Sequence, residues 1–200
     1  MISIIDYGMG NIHAFRNMYA RLNIEVRFAR TVEDVADSSK LILPGVGGFD
    51  DAMLCLERSG LRPALEEAAL VQGKPLLGVC VGMQMLARSS EEGRRPGLGW
   101  VPGTVKRFSM PSLELPHMGW NDVVPQQTGG LFRGMADDAR FYFLHSYYFE
   151  CDDAKQVLAM TNYGADYASA VACRNIYGVQ FHPEKSHHWG SQLLRNFAEL

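Results

Sequence analysis

Four short apolar runs in the first eighty residues, each cut off by turn residues and followed by apolar positions at helical spacing, leave this chain few folds to adopt. Ile2 to Ile5 is succeeded by the turn-rich Asp6-Tyr7-Gly8-Met9-Gly10-Asn11 and then by Ile12, Phe15, Met18, Tyr19 and Leu22. Glu25 to Ala29 gives a second strand, and Thr31 with Asp34 three residues on caps a short helix. Leu41-Ile42-Leu43 gives a third strand, ended by Pro44-Gly45. Helical patterning fills Asp50 to Val71 with a break near Gly60, and Pro75 to Val79 is the fourth run. This alternation predicts a parallel sheet covered on both faces, an α/β fold.

Past about Pro102 the texture changes. Shorter β-like runs lie around Val105, Val123, Phe141 to Phe149, Val157 to Met160, Ala168 to Cys173 and Ile176 to Phe181. They suggest an antiparallel or mixed extension of the same sheet. A closing helix from about Trp189 to Leu200 carries Leu193, Leu194, Phe197 and Leu200 on one stripe. With no repeat, low-complexity tract or long linker, residues 1–200 read as a single domain.

Composition narrows the function. Apolar residues make up 47% and charged residues 20%, and a formal charge of -3 offers no broad basic face, which argues against nucleic acid as a partner. No apolar stretch approaches the roughly 20 residues that span a bilayer, and no basic signal region precedes the first run. The sequence therefore reads as cytoplasmic, without a membrane association. Cys55, Cys80, Cys151 and Cys173 are far apart and form no C-x-x-C pair, so neither a metal site nor a disulfide framework is expected.

One thiol stands out. Leu76-Leu77-Gly78-Val79-Cys80-Val81-Gly82-Met83-Gln84 places Cys80 at the end of an apolar run, between glycines, where a helix is about to begin. A helix N-terminus favours the thiolate through its aligned peptide dipoles. About a hundred residues later, Gly178-Val179-Gln180-Phe181-His182-Pro183-Glu184 ends a second run with an imidazole and a carboxylate. Functional groups of doubly wound sheets collect at the carboxyl ends of the strands, so Cys80 and His182 can meet there. Glu184 sits on an extended segment two residues past His182, so a period of two puts both side chains on one side, and Pro183 holds His182 in extended geometry. Cys80, His182 and Glu184 thus supply nucleophile, base and orienting acid. His145 is a second candidate base, but it lacks a nearby downstream carboxylate.

These residues resemble the class I (triad) glutamine amidotransferases. The segments Asp6 to Asn11, Leu43-Pro44-Gly45-Val46-Gly47, Pro116-His117-Met118-Gly119-Trp120-Asn121 and His145-Ser146-Tyr147-Tyr148 point, within that family, to glutaminase subunits that serve a histidine-pathway cyclase. The resemblance implies a flavodoxin-like fold and a cofactor-free, metal-free hydrolysis of L-glutamine through a Cys80 thioester. It implies oxyanion donors from Val81 and from the Val46-Gly47 segment, and a glutamine site formed by Gln84, Glu92, Ser146 and Tyr147. Glu91, adjacent to Glu92, competes for the ammonium of the substrate. Ammonia would pass to a partner, a (β/α)8-barrel cyclase subunit in a heterodimer, contacted by Asn11, Met118, Trp120, Tyr142 and Lys185. Related subunits serve surface-sugar biosynthesis, and the triad does not separate the two acceptors. The chain departs from the pattern at Val81, where leucine is commoner.

Overall fold

The computed structural model describes residues 1–109, 113–135 and 138–200. The first four strands, β1 (Ile2–Ile5), β2 (Val26–Ala29), β3 (Lys40–Gly45) and β4 (Leu76–Cys80), are parallel in the order β2-β1-β3-β4. Every residue of β1 and β4 is buried, as strands covered on both faces require. They alternate with α1 (Ile12–Arg21), α2 (Val32–Ala36), α3 (Phe49–Ser59) and α4 (Arg62–Glu66), the last continued by a wide helical turn over Glu67–Val71. The expected capping box at α2 is present. Asp34 N–H donates to Thr31 Oγ1 at 3.1 Å, and Thr31 N–H donates to Asp34 Oδ2 at 3.0 Å. Pro44 and Gly45, expected to end the third strand, lie within it and pair with Val79 and Cys80.

After β4 come α5 (Val81–Gln84), β5 (Gly103–Arg107), β6 (His117–Asp122), β7 (Val124–Pro125), β8 (Arg140–His145), β9 (Tyr147–Cys151), β10 (Val157–Tyr163), β11 (Ala165–Cys173), β12 (Ile176–Val179) and α6 (His187–Glu199). The ten-stranded main sheet runs β2-β1-β3-β4-β12-β11-β10-β7, with β9 on β11 and β5 on β9. β12 lies in the mixed extension that the sequence suggested, parallel to β4, with Val179 opposite Val79, and antiparallel to β11. One sequence expectation needs correcting here. β6 and β8 form a separate two-stranded antiparallel ribbon, because the Phe141 to Phe149 run breaks at Ser146 and sends its halves to different partners.

α6 buries Leu193, Leu194 and Phe197, and Tyr19 of α1 donates its hydroxyl to the Leu194 carbonyl at 3.2 Å. Leu200, expected on the same stripe, lies past the helix end and is exposed.

Candidate active site

The local sequence around Cys80 builds a sharp strand-to-helix turn. Cys80 ends β4 with φ 55° and ψ −115°, a region that costs a non-glycine residue about 1–3 kcal/mol. Three glycines make the turn possible. A Cβ on Gly82 would lie 2.0 Å from the Leu43 carbonyl oxygen, one on Gly78 would lie 2.6 Å from the Gly82 carbonyl oxygen, and one on Gly45 would lie 2.3 Å from Gly82 N. β3, β4 and α5 therefore touch backbone to backbone. α5 is a single turn, so it contributes little aligned dipole.

β12 runs parallel to β4, and three residues beyond its end His182 reaches the same rim. Cys80 and His182 line one cavity of about 330 Å³. His182 Nδ1 and Glu184 Oε1 are 2.8 Å apart, with side chains only 4% and 2% exposed. The route to this contact differs from the expected extended segment. Pro183–Lys185 is a turn of 3₁₀ helix, which brings the carboxylate back toward the ring, while His182 itself is extended (φ −101°, ψ 94°) as a residue before proline should be. Burial by itself would push the imidazole down. Hydrogen bonds and charge from Cys80 and Glu184 outweigh it and raise His182 to about 10.

His145 also lines the cavity but is in a different state. Burial pushes it down to about 3. Its Nδ1 lies 2.7 Å from the Tyr147 carbonyl and so carries the proton, while Nε2 faces the Tyr167 hydroxyl and His117 Nδ1, each at 3.2 Å. A neutral, fully engaged ring is a poor base.

The remaining sequence-selected residues gather at the same place. Val46, Gly47, Val81, Gln84, Glu92, Ser146 and Tyr147 all line the cavity, with Lys185 at its edge. Behind Val46 and Gly47, the Tyr7 hydroxyl donates to the Pro44 carbonyl at 2.6 Å, and Gly10 fits against Pro44 where a Cβ would be 2.7 Å away. Of Glu91 and Glu92, Glu92 is the one that lines the cavity. Glu91 accepts from Arg107 N–H and pairs with Lys106, away from the cavity. Glu92 accepts from Phe49 N–H at the start of α3 at 2.9 Å, and burial together with Asp50 and Asp51 raises its pKa despite that bond. Gln84 is buried, donating through Nε2 to the Tyr147 carbonyl at 3.2 Å and to Gln180 Oε1 at 2.9 Å. Both of its amide hydrogens point inward, so what it can present to a ligand is an acceptor oxygen.

Four of the five residues selected as partner contacts form one surface. Met118 and Trp120 of β6 stand opposite Leu144 and Tyr142 of β8 on the outer face of the ribbon, with Met118 65% and Trp120 41% exposed. The Lys185 ammonium lies 5.7 Å from the Tyr142 ring centroid, and Tyr142 packs edge-on to Trp120. Asn11 is exposed and caps α1, accepting from Ala14 N–H. Sequence reasoning missed Gln180, which is fully buried with Nε2 3.8 Å from Cys80 Sγ. Its one available signal was its place two residues before His182.

Comparison with known proteins agrees with this geometry. Residues 3–200 match the family described as glutamine amidotransferase class-I. A protein of Bdellovibrio bacteriovorus named imidazole glycerol phosphate synthase subunit HisH is 58% identical over the whole of both chains. A Leptospira borgpetersenii protein of the same name is 50% identical, again over both full lengths. Among solved structures, one described as a glutamine amidotransferase superposes with a TM-score of 0.77 at 20% identity, covering 99% of this chain and 97% of that one. A glutamine amidotransferase from Thermotoga maritima gives 0.64 at 17% identity, covering 99% of this chain and 82% of that one. The chain belongs to the class I glutamine amidotransferases and, among them, to the HisH subunits of imidazole glycerol phosphate synthase.

Proposed function

We propose that this subunit hydrolyses glutamine through a thioester on Cys80 and delivers the ammonia to a (β/α)8-barrel cyclase. The observation that carries the reading is a strained cysteine and a histidine–glutamate pair, a hundred residues apart in sequence, opening into one cavity. Cys80 attacks the side-chain amide carbon of the substrate, and the proton held on His182 passes to the departing ammonia. Water then adds to the thioester, giving a proton to His182, and glutamate leaves as the C–S bond breaks. Val81 N–H, with a second donor from Val46-Gly47, stabilises the oxyanion in both halves. The Glu92 carboxylate suits the ammonium of the substrate, and Gln84 Oε1 together with Ser146 and Tyr147 completes its site.

The cavity mouth lies beside the exposed ribbon face, which supports docking of the cyclase over the cysteine. A covered mouth matters chemically, because ammonia reaching neutral water becomes ammonium and loses its nucleophilicity. Trp120 has the character of an anchor, an aromatic partly free of neighbours at the centre of an apolar face. Trp120→Ala should weaken binding to the cyclase by about 2–4 kcal/mol, read by titration calorimetry, with the fold unchanged by circular dichroism. An unaltered affinity would remove the ribbon from the interface.

The test of the whole assignment is reconstitution. Gly47, at φ 80°, lets the Val46 peptide reorient at little steric cost, and Val46 is 40% exposed where the partner would sit. Mixed with a cyclase and its phosphorylated ribulose substrate, the chain should release glutamate about 10²–10³-fold faster than alone, the worth of one oxyanion donor. Equal turnover in both states defeats the partner-dependent reading.

A further inference from the structure

We propose that Gln180 is a further catalytic residue, one whose side-chain amide donates a hydrogen bond to the Cys80 sulfur and stabilises the charge that collects there. This rests on the reading of Cys80 as the nucleophile. Gln180 leaves β12 two residues ahead of His182, and its backbone N–H is tied to the Ser169 carbonyl at 2.9 Å, so the residue is anchored in the sheet. Its side chain is wholly buried, with Nε2 3.8 Å from Cys80 Sγ, within hydrogen-bond range for sulfur.

The direction of the amide follows from its neighbours. The Tyr147 carbonyl and Gln180 Oε1 are the two acceptors for Gln84 Nε2, so Gln84 must offer its nitrogen to Gln180. Gln180 must then turn its oxygen to Gln84 and its nitrogen to the sulfur. The flipped amide would set nitrogen against nitrogen and point a carbonyl dipole at a thiolate, and buried amides do not persist with mismatched partners. A chain of hydrogen bonds thus runs from the Tyr147 carbonyl, at the substrate cavity, through Gln84 and Gln180 to the nucleophile.

Gln180 and His182 therefore do different work on one atom. His182 exchanges a proton with the sulfur and the leaving groups, whereas a carboxamide stays neutral and keeps its protons throughout. Its bond to sulfur is strongest when sulfur carries negative charge: before attack, and when the tetrahedral intermediate collapses, the C–S bond breaks and its electron pair returns to Cys80. In the thioester between those moments the sulfur is a weak acceptor and the bond relaxes. The amide favours both ends of the cycle over the covalent resting point.

The experiment uses the full chain bound to its cyclase. Gln180→Met keeps the length and apolar volume but has no donor, and Gln180→Glu keeps the acceptor for Gln84 while turning a carboxylate toward the sulfur. Both should lower kcat for glutamine by about 10- to 100-fold, the worth of a hydrogen bond to a charged group, with KM changed by less than about twofold in Gln180→Glu, which keeps the contact to Gln84. Alkylation of Cys80 by iodoacetamide at fixed pH should slow in both variants, more in Gln180→Glu. A folded Gln180→Met with parental kcat and alkylation rate overturns the proposal. Where a variant does not fold, the parent chain decides. Its Gln180 side-chain amide resonances should shift on alkylation of Cys80, and their constancy also overturns it. The alkylation and resonance measurements report on the sulfur whatever its role. Retained glutaminase activity in Cys80→Ala sinks the nucleophile assignment independently.

Discussion

Cys80→Ala should lose glutamine-dependent product formation by on the order of 10⁴-fold or more in kcat, while the complex still makes product when ammonia is added directly. Removal of the proposed attacking atom leaves the binding site and the proposed oxyanion donors, whose residual catalysis falls far below that of the intact triad. The ammonia-driven reaction serves as the internal control, since it needs the cyclase and not the sulfur. A companion variant tests the backbone strain. With φ at 55°, position 80 is one at which glycine outperforms alanine, the reverse of the usual order in a strand or helix. Cys80→Gly should be as inactive as Cys80→Ala yet more stable than it by about 1 kcal/mol, a melting-temperature difference of about 2–4 °C by calorimetry. Equal melting temperatures for the two would show that the turn holds no strain.

Gly82→Ala should be among the most damaging substitutions of a single methyl group in this chain. The added carbon would lie 2.0 Å from the carbonyl oxygen of Leu43, which belongs to the backbone of β3 and has no rotamer through which to yield. Either β3 and α5 separate or the turn unwinds, and each displaces the Val81 N–H from the place proposed for the oxyanion. We expect a loss of about 3 kcal/mol or more in urea unfolding, with activity lost beyond what the stability change explains. Gly73→Ala is the matched control. Gly73, unlike Gly82, has a positive φ of 68°, but a Cβ there meets nothing within 4 Å, so only about 1 kcal/mol of backbone strain is at stake. A Gly82→Ala protein no less stable than Gly73→Ala would refute the close-approach account.

Much of this architecture is legible in sequence where a physical pattern is local. The runs at Ile2, Glu25, Leu41 and Pro75 mark the parallel half because strands covered on both faces are uninterruptedly apolar. The Thr31–Asp34 box marks a helix start because its two hydrogen bonds close within four residues. Pairing between distant segments is less visible. Nothing in Ile176 to Val179 announces a seat beside β4 rather than at the far end of an antiparallel extension, since both environments favour the same residues. Met118 and Trp120 at alternate positions fit an inward face as well as an outward one, and only the pairing of β6 with β8 assigns them. Extended backbone would match Glu184 to His182, but the turn of 3₁₀ helix makes the contact by another path. Gln180 escapes notice because a neutral amide within an apolar run carries no chemical label until its neighbours are known.

The seat of β12 also governs when the molecule can become an enzyme. The strand that delivers His182 pairs with one synthesised about a hundred residues earlier, Ile176 opposite Leu76. A growing polypeptide emerging from the ribosome therefore holds its cysteine turn without a base, and the central gap in its sheet stays open until nearly the last segment arrives. Such long-range closure is slow relative to local structure. It also means that the His182–Glu184 pair reaches the rim of the cysteine turn only through a strand pairing that spans a hundred residues.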